Sequence, residues 1–361
     1  MELFLKKSHF MLPTDIPISA DELRLIASID EFKGSWRLLE GMYPEHLRSL
    51  RRVATIESVG SSTRIEGAKL TDAEVEALLG RVGTESFESR DEQEVAGYAR
   101  VMELVFAAHA EMRMSENLLF QLHRDLLSYS TKDERHRGSY KTLPNNVSAF
   151  DADGREIGVI FATAIPFDTP RRMAELLVWN ERTKQLLHPL VRIGLFIVEF
   201  LAIHPFQDGN GRLSRVLTTL LMLQAGYTHV PYSSLESIIE RNKEGYYLAL
   251  RRTQTTMGTD HADWVPWLLY FLNVLSKQAR HLEKKLSGPL SVGTLRSGLS
   301  PVAGKILTAL QSAGSITVAQ AAETAGINRN TAKNKLRELL QTGAAELRGK
   351  GRGAHYVPTG S

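Results

Sequence analysis

The sequence predicts a mostly α-helical protein with one β-hairpin in its main body and a small helix-turn-helix domain at its C-terminal end. Three observations predict it. Apolar residues recur at helical spacing along most of the chain, as in Leu118, Leu119, Leu122 and Leu126, or Trp264, Trp267, Leu268 and Phe271. The one convincing strand signal upstream of the tail lies between Gly138 and Ala164. There Asp153-Gly154 separates Asn146-Val147-Ser148 from Ile157-Gly158-Val159-Ile160-Phe161. The charge also changes sign along the chain. Residues 295–361 hold nine Lys/Arg against three Asp/Glu, a net +6, whereas the whole chain is only +3.

The 361 residues suggest about two to three domains. Four segments are expected: an N-terminal helical region over 1–90, a core over 91–286, a linker over 287–294 and a tail domain over 295–361. The linker is read from Ser287-Gly288-Pro289-Leu290-Ser291-Val292-Gly293, which coincides with the charge change. In the first region Gly67 reads as a residue just past a helix end, and Thr71-Asp72-Ala73-Glu74 as a capping box opening the next helix. The polar stretch 84–89 separates two helical patterns. The run Ile193–Ile203, interrupted by Glu199, is shorter than the roughly 20 residues of a membrane span and reads as a buried helix. Glu2 and the lack of a small-residue cleavage site give no leader peptide, so a cytoplasmic protein is expected. The chain has no cysteine, which excludes disulfides, thiolate chemistry and Cys-ligated zinc. No repeat, no P-loop spacing and no His-Glu-x-x-His is present.

The most informative stretch follows the buried helix: His204-Pro205-Phe206-Gln207-Asp208-Gly209-Asn210-Gly211-Arg212-Leu213-Ser214-Arg215. The apolar pattern resumes at Val216, Leu217, Leu220 and Leu221, so the stretch joins two helices. Glycines on both sides of Asn210 let the backbone approach a ligand closely. The loop feeds a helix N-terminus, where free N–H groups attract an anion. Arg212 and Arg215 share one face of that helix, a suitable grip on phosphate. Asp208 is a hard oxygen ligand placed for Mg²⁺ beside the same phosphates. His204 is the side chain suited to taking a proton near neutral pH.

This stretch resembles the signature of the Fic (filamentation induced by cAMP) family, His-x-Phe-x-Asp/Glu-Gly-Asn-Gly-Arg-x-x-Arg, at every fixed position. Gly138-Ser139-Tyr140-Lys141 before the hairpin and Tyr246-Tyr247 after the signature are similar to weaker family features. The resemblance implies a Fic-type helical core with a β-hairpin flap. It implies a protein adenylyltransferase that moves AMP from ATP to a Ser, Thr or Tyr hydroxyl of a target protein. His204 would deprotonate the hydroxyl, and Asp208 would hold Mg²⁺ between the α- and β-phosphates. The N–H groups of Gly209, Asn210 and Gly211 would form an anion cradle. Arg212 would grip the β-phosphate and Arg215 the γ-phosphate, with Leu213 and Ser214 part of the same phosphate-binding turn. Phe206 would anchor the loop in the core. The hairpin would pair with an extended target segment, bringing Asn146, Val147 and Ser148 near the nucleotide. Tyr246, Tyr247 and Gln254 would line the base pocket, though for the two tyrosines plain core packing stays open.

Upstream, Glu66 falls in the last turn of its helix, where a carboxylate is unfavourable by about 0.3–1 kcal/mol. Ser62-x-x-x-Glu66-Gly67 is similar to the Fic inhibitory motif, Ser/Thr-x-x-x-Glu-Gly/Asn. The resemblance implies that Glu66, with Ser62 one turn before it, pairs with Arg215 and blocks the γ-phosphate. A surface glutamate paired with Arg64 or Lys69 is the plain alternative. Glu66 could also orient a water that removes AMP from the same target.

The basic tail reads as helix, turn, helix, then two strands around the glycine-rich tip 349–353, and resembles a winged helix-turn-helix domain. Its third helix would present Arg329, Asn330, Lys333 and Asn334, and Lys350 and Arg352 at the tip could meet phosphates. The partner of this domain is left open between DNA and protein, and a homodimer is also open. The competing functional reading is a DNA-associated regulator whose Fic core only senses nucleotide.

Overall fold

A computed structural model describes residues 12–39, 44–81, 87, 89–150, 156–287, 301–341, 344–349 and 354–359. The chain divides into two compact units. The first joins the N-terminal residues through Trp36 to the stretch Ala54–Ala279; the second joins Arg37–Val53 to everything from Arg280 onward. The tip residues Asp153 and Gly154, the linker from 288, and Lys350 and Arg352 lie outside the described residues.

The helices in order are α1 (Ala20–Leu39), α2 (Pro44–Ile65), α3 (Asp72–Leu79), α4 (Arg90–Ala108) and α5 (Glu116–Leu126). The hairpin β1 (Val147–Phe150) and β2 (Glu156–Phe161) follows, then α6 (Thr169–Arg182), α7 (Pro189–Ile203) and α8 (Asn210–Gln224). After a short 3₁₀ turn come α9 (Leu235–Glu240), α10 (Lys243–Gln254) and α11 (Val265–Ser287). Among the described residues, no helix is long and apolar enough to cross a membrane.

The centre of the first unit is the pair α7 and α8. Every residue of α7 from Leu190 to Ile203 is buried, Glu199 included. Glu199 is tolerated because Arg172 of α6 donates to it at 2.8 Å. A helix apolar on every face but for Arg192 and Glu199 belongs in a core. Accordingly α6 and α10 pack on α7, while α4 and α5 pack on α8. Phe196, Phe200, Leu213, Leu217 and Leu220 are fully buried between them, each burial worth about 1.5–3 kcal/mol. The capping box at Thr71 and Glu74 forms as its spacing implies. A second, Ser89 with Glu92, starts α4 and fixes where Arg90 and Glu94 leave the helix.

β1 and β2 pair antiparallel with Val147 opposite Phe161 and Ser148 opposite Val159, and the register shifts twice along the ladder. Where α2 stops, the structure differs by one step from expectation. The helix ends at Ile65, and Glu66 lies in the closing turn with Gly67 at φ 110°. That turn is tied by N–H groups of Glu66 and Ala68 to the carbonyl of Thr63, 3.0 and 3.1 Å away.

The second unit holds α12 (Pro301–Ala313), α13 (Val318–Ala325) and α14 (Arg329–Gln341) with the antiparallel strands β3 (Ala345–Arg348) and β4 (His355–Pro358). Ile316 bridges to Tyr356. Ile306, Leu307, Leu310, Ala321, Leu336, Leu339 and Tyr356 form its separate core.

Candidate active site

The loop between α7 and α8 begins with His204, which ends α7 in the left-handed region at φ 52°, ψ 60°. Among the described residues it alone is a non-glycine with positive φ. Such a backbone costs roughly 1–2 kcal/mol and persists only where the surroundings enforce it. Its Nδ1 lies 3.2 Å from the carbonyl of Leu201. A carbonyl only accepts, so Nδ1 carries the proton and Nε2 is the acceptor nitrogen. Burial pushes the imidazole down to about 4; the Leu201 carbonyl works against this and the Lys141 ammonium adds to it. The ring is therefore neutral at pH 7, with one nitrogen able to receive a proton.

What enforces the loop is a set of side chains aimed at its carbonyls. Lys141 donates through Nζ to the Ile203 carbonyl at 3.0 Å and through its backbone N–H to that of Pro205 at 2.8 Å. Asn145 donates to the carbonyls of His204 at 3.3 Å and Phe206 at 2.6 Å. His123 reaches the Asp208 carbonyl at 3.0 Å through Nε2, while its Nδ1 accepts from the Gly138 N–H at 2.8 Å. Its ring stacks on Phe206 at 3.8 Å. Burial holds His123 at about 4 as well. With its carbonyls occupied from one side, the loop is fixed before any ligand arrives. Lys141 also donates to Asn145 Oδ1 at 2.7 Å and Thr163 Oγ1 at 2.9 Å, tying the base of the hairpin to the loop. Burial lowers its ammonium to about 8, with Arg172 adding to this.

Within the loop, Asn210 acts through its side chain as a clamp. Its Nδ2 donates to the Phe206 carbonyl at 2.7 Å, and its Oδ1 accepts the Phe206 N–H at 2.9 Å. Gly209, at φ 78°, gives its N–H to Asp208 Oδ1 at 2.6 Å. Of the three expected cradle donors, the Gly209 N–H is thus already spent. Leu213 is also not brought to the site: its side chain is in the core and its N–H bonds the Gly209 carbonyl at 2.9 Å. Ser214 turns inward and donates to the Gly211 carbonyl at 2.7 Å.

Arg212 and Arg215 are both buried on one face of α8. Arg212 stands 3.3 Å from Glu94 and 3.4 Å from Asp208, yet its Nε and Nη1 make no hydrogen bond. Asp208 also faces Arg90 at 3.6 Å. Burial works against the Asp208 charge, but Arg212, the Gly209 N–H and Arg90 together hold its carboxyl below the usual range. Arg215 donates through Nε to Ser62 Oγ and through Nη2 to the Ser62 carbonyl, both at 2.8 Å. The same Nη2 meets Glu66 Oε1 at 2.9 Å. Burial opposes the Arg215 charge, but Glu66, with Tyr246 and Tyr98 adding to it, leaves the guanidinium above its ordinary value. Nη1 of Arg215 has no partner. The Glu66 carboxylate also lies directly over Gly211, where a Cβ would collide with Oε1. Only glycine at 211 lets carboxylate and backbone approach so closely.

The remaining expected residues are more scattered. Tyr246 is buried among Trp267, Tyr270 and Tyr247. A cavity of about 20 Å³ next to it is lined by Ser214, Arg215, Thr218 and Tyr246. That is room for about one water and not for a nucleobase. Tyr247 and Gln254 do not line it: Tyr247 is exposed with Lys243 over its ring at 6.0 Å, and Gln254 is buried at the end of α10. Asn146 accepts from the Thr163 N–H at 3.1 Å, and Val147 and Ser148 lie in β1. In the second unit Arg329, Asn330, Lys333 and Asn334 are all exposed on α14, opposite buried Ala332, Leu336 and Leu339.

Residues 113–222 match the model of the Fic/DOC family. The protein adenylyltransferase Fic of Drosophila virilis is 26% identical over 60% of this chain and 42% of its own length. The chain thus spans less than half the length of that relative. A Fic family protein from Desulfovibrio desulfuricans G20 has the same fold, with a TM-score of 0.61 at 23% identity over 96% of this chain and 98% of its own. A Fic-domain signalling protein from Bacteroides thetaiotaomicron matches 71% of this chain and 96% of its own, with a TM-score of 0.57 at 25% identity.

Proposed function

The chain belongs to the Fic family, and on that premise we propose that it is a protein adenylyltransferase held inactive by its own Glu66. The observation that carries this reading is the set of buried, unpaired donors on Arg212 and Arg215 beside a neutral His204. Buried donors without partners are costly unless an anion completes them.

In the proposed reaction, His204 Nε2 takes the proton of a target Ser, Thr or Tyr hydroxyl. The oxygen attacks the α-phosphorus of ATP, the bond to the β-phosphate oxygen breaks, and pyrophosphate leaves. Arg212 and the Asn210 and Gly211 N–H groups bind the departing phosphates, and Arg215 binds the γ-phosphate once Glu66 has left it. Asp208 is the residue that would hold Mg²⁺. Among the described residues no cluster of three or more metal-ligating side chains exists. One carboxylate nonetheless fits an ion that draws its other ligands from phosphates and water. When bound, Mg²⁺ supplies charge neutralisation at the phosphates.

Glu66 blocks this by occupying Arg215 and covering Gly211. The same carboxylate could align a water for removal of AMP from the target, which would make the chain bidirectional. A pure nucleotide sensor is less well supported, because the strained, correctly protonated His204 has no use there. Intact-mass spectrometry of the chain and of lysate proteins after incubation with ATP and Mg²⁺ tests the reading. A gain of one AMP supports it, and no gain even in a Glu66→Gly chain contradicts it.

For the second unit we propose a winged-helix reading with DNA as partner, favoured by the exposed Arg329, Asn330, Lys333 and Asn334 on one helix face. The full chain should retard duplex DNA at low salt and release it steeply as salt rises. No retardation at low salt leaves a protein partner for this unit.

A further inference from the structure

Arg90 lies far outside the signature, at the first residue of α4, yet the fold brings it to the phosphate side of the loop. We infer that Arg90 is a third phosphate-binding arginine of this site, set in place by Glu94. The inference rests on reading the loop as a nucleotide site.

Glu94 comes one turn after Arg90, and its carboxylate is buried. Oε1 accepts from Arg90 Nε at 2.8 Å, and Oε2 faces Arg212 Nη1 at 3.3 Å. One carboxylate therefore aligns two guanidinium groups from separate helices. Arg90 is left pointing its Nη2 at Asp208 Oδ2, 3.6 Å away. That distance is attractive but too long for a good hydrogen bond, so the Nη donors are not committed. The Arg90 side chain is 59% exposed, unlike Arg212 at 2%. Its donors are thus reachable by an incoming ligand, and its stem is already oriented.

The charge balance points the same way. Arg90, Arg212 and Arg215 give three positive charges; Glu66, Glu94 and Asp208 give three negative. His204 is neutral. Farther out, Lys132 acts on Asp208 and Asp133 on Arg90, with opposite signs. Lys141, held on the loop carbonyls, adds a fourth positive charge. Without Arg90 this set is neutral; with Arg90 it is net positive, and more so once Glu66 is withdrawn. Because Arg90 shares Glu94 with Arg212, its natural target is the β- or γ-phosphate and not the α-phosphate.

The test is isothermal titration calorimetry with ATP and with AMP, both in EDTA, on the full chain and its Glu66→Gly form. Arg90→Ala should weaken ATP about tenfold to a hundredfold, the worth of a lost charge-assisted hydrogen bond. AMP binding should be unchanged, and Arg90→Lys should recover part of the ATP affinity. Melting temperatures close to the parent's establish that the variants fold. Equal ATP affinity in Arg90→Ala overturns the inference. Equal losses for ATP and AMP overturn it too, because they mean a general loosening of the site. Failure of the parent chain and its Glu66→Gly form to bind ATP at all overturns the nucleotide-site reading first, and the inference with it.

Discussion

Arg212 and Arg215 stand one turn apart on α8 and both are buried, but their partners differ in kind. Arg212 is neutralised by Glu94, whose side chain is only 9% exposed on a core helix, and by Asp208 of its own loop. Arg215 is neutralised by Glu66, 32% exposed in the turn that closes α2. A buried carboxylate on a packed helix cannot leave without unfolding something. A partly exposed carboxylate in a turn can. On the proposed reading, the difference separates an arginine that is a fixture from one that is a switch. The same comparison explains why Glu66 breaks the local rule against carboxylates at helix ends. Its place is decided by Arg215 and Gly211 across the site and not by α2.

The largest expected effect lies beside both arginines. His204→Ala should lower transfer by about 10²–10⁴-fold while ATP binding is kept, because the imidazole serves the hydroxyl and not the phosphates. Radiolabelled ATP with a matched binding titration measures both. If that variant labels like its parent, the base is another residue, and neither arginine is positioned for the proposed attack.

Next in size is the stability contrast. Glu94→Ala takes a buried carboxylate from both Arg212 and Arg90, leaves Arg212 with Asp208 alone, and should cost about 3 kcal/mol in urea unfolding. Glu66→Gly removes a partly exposed carboxylate from buried Arg215, which keeps the Ser62 hydroxyl and carbonyl as acceptors, and should cost less, about 1–2 kcal/mol. Equal costs would erase the distinction between fixture and switch.

A smaller effect is the pH profile. Burial lowers the His204 value to about 4 in the folded chain, against 6.5 for an ordinary histidine. The neutral, base-competent form therefore persists below pH 6.5 and is lost only as pH falls towards 4. The acid limb of kcat/KM, which reports the free enzyme, should lie nearer 4 than 6.5. A limb centred near 6.5 would mean that His204 is solvated. The smallest expected effect is that of Ser62→Ala. It removes one acceptor from Arg215, worth about 1 kcal/mol, and should loosen inhibition by about fivefold at most.

The sequence made some of this legible and left the rest hidden for a physical reason. The loop from His204 to Arg215 is contiguous, so its residue types and spacing could be read together. The hairpin announced itself through Asp153-Gly154, and the start of α3 through Thr71 and Glu74. The residues that fix the loop are of another sort. His123, Lys141, Asn145, Glu94 and Arg90 are single polar side chains from other elements, and they act through contacts distant in sequence. Lys141 apart, no local pattern marks them. The Gly138–Lys141 segment carried a weak signal, and the Ser89–Glu92 capping box was a missed cue to how α4 begins. Leu213 was assigned to the phosphate turn with its neighbours, but one residue along a helix rotates the side chain by about 100°, into the core. Tyr246, for which plain packing stayed open beside a place in the base pocket, is ringed by Trp267 and Tyr270.

The most direct test of the switch is labelling by the Glu66→Gly chain. With Arg215 released and Gly211 uncovered, incorporation of AMP from ATP should rise by about tenfold or more, the scale of one charge-assisted contact. Adding Arg215→Ala should abolish that gain, because both changes act through the same guanidinium. Equal or lower labelling by Glu66→Gly, with the fold intact by circular dichroism, would contradict the account and return Glu66 to a structural or positive catalytic role.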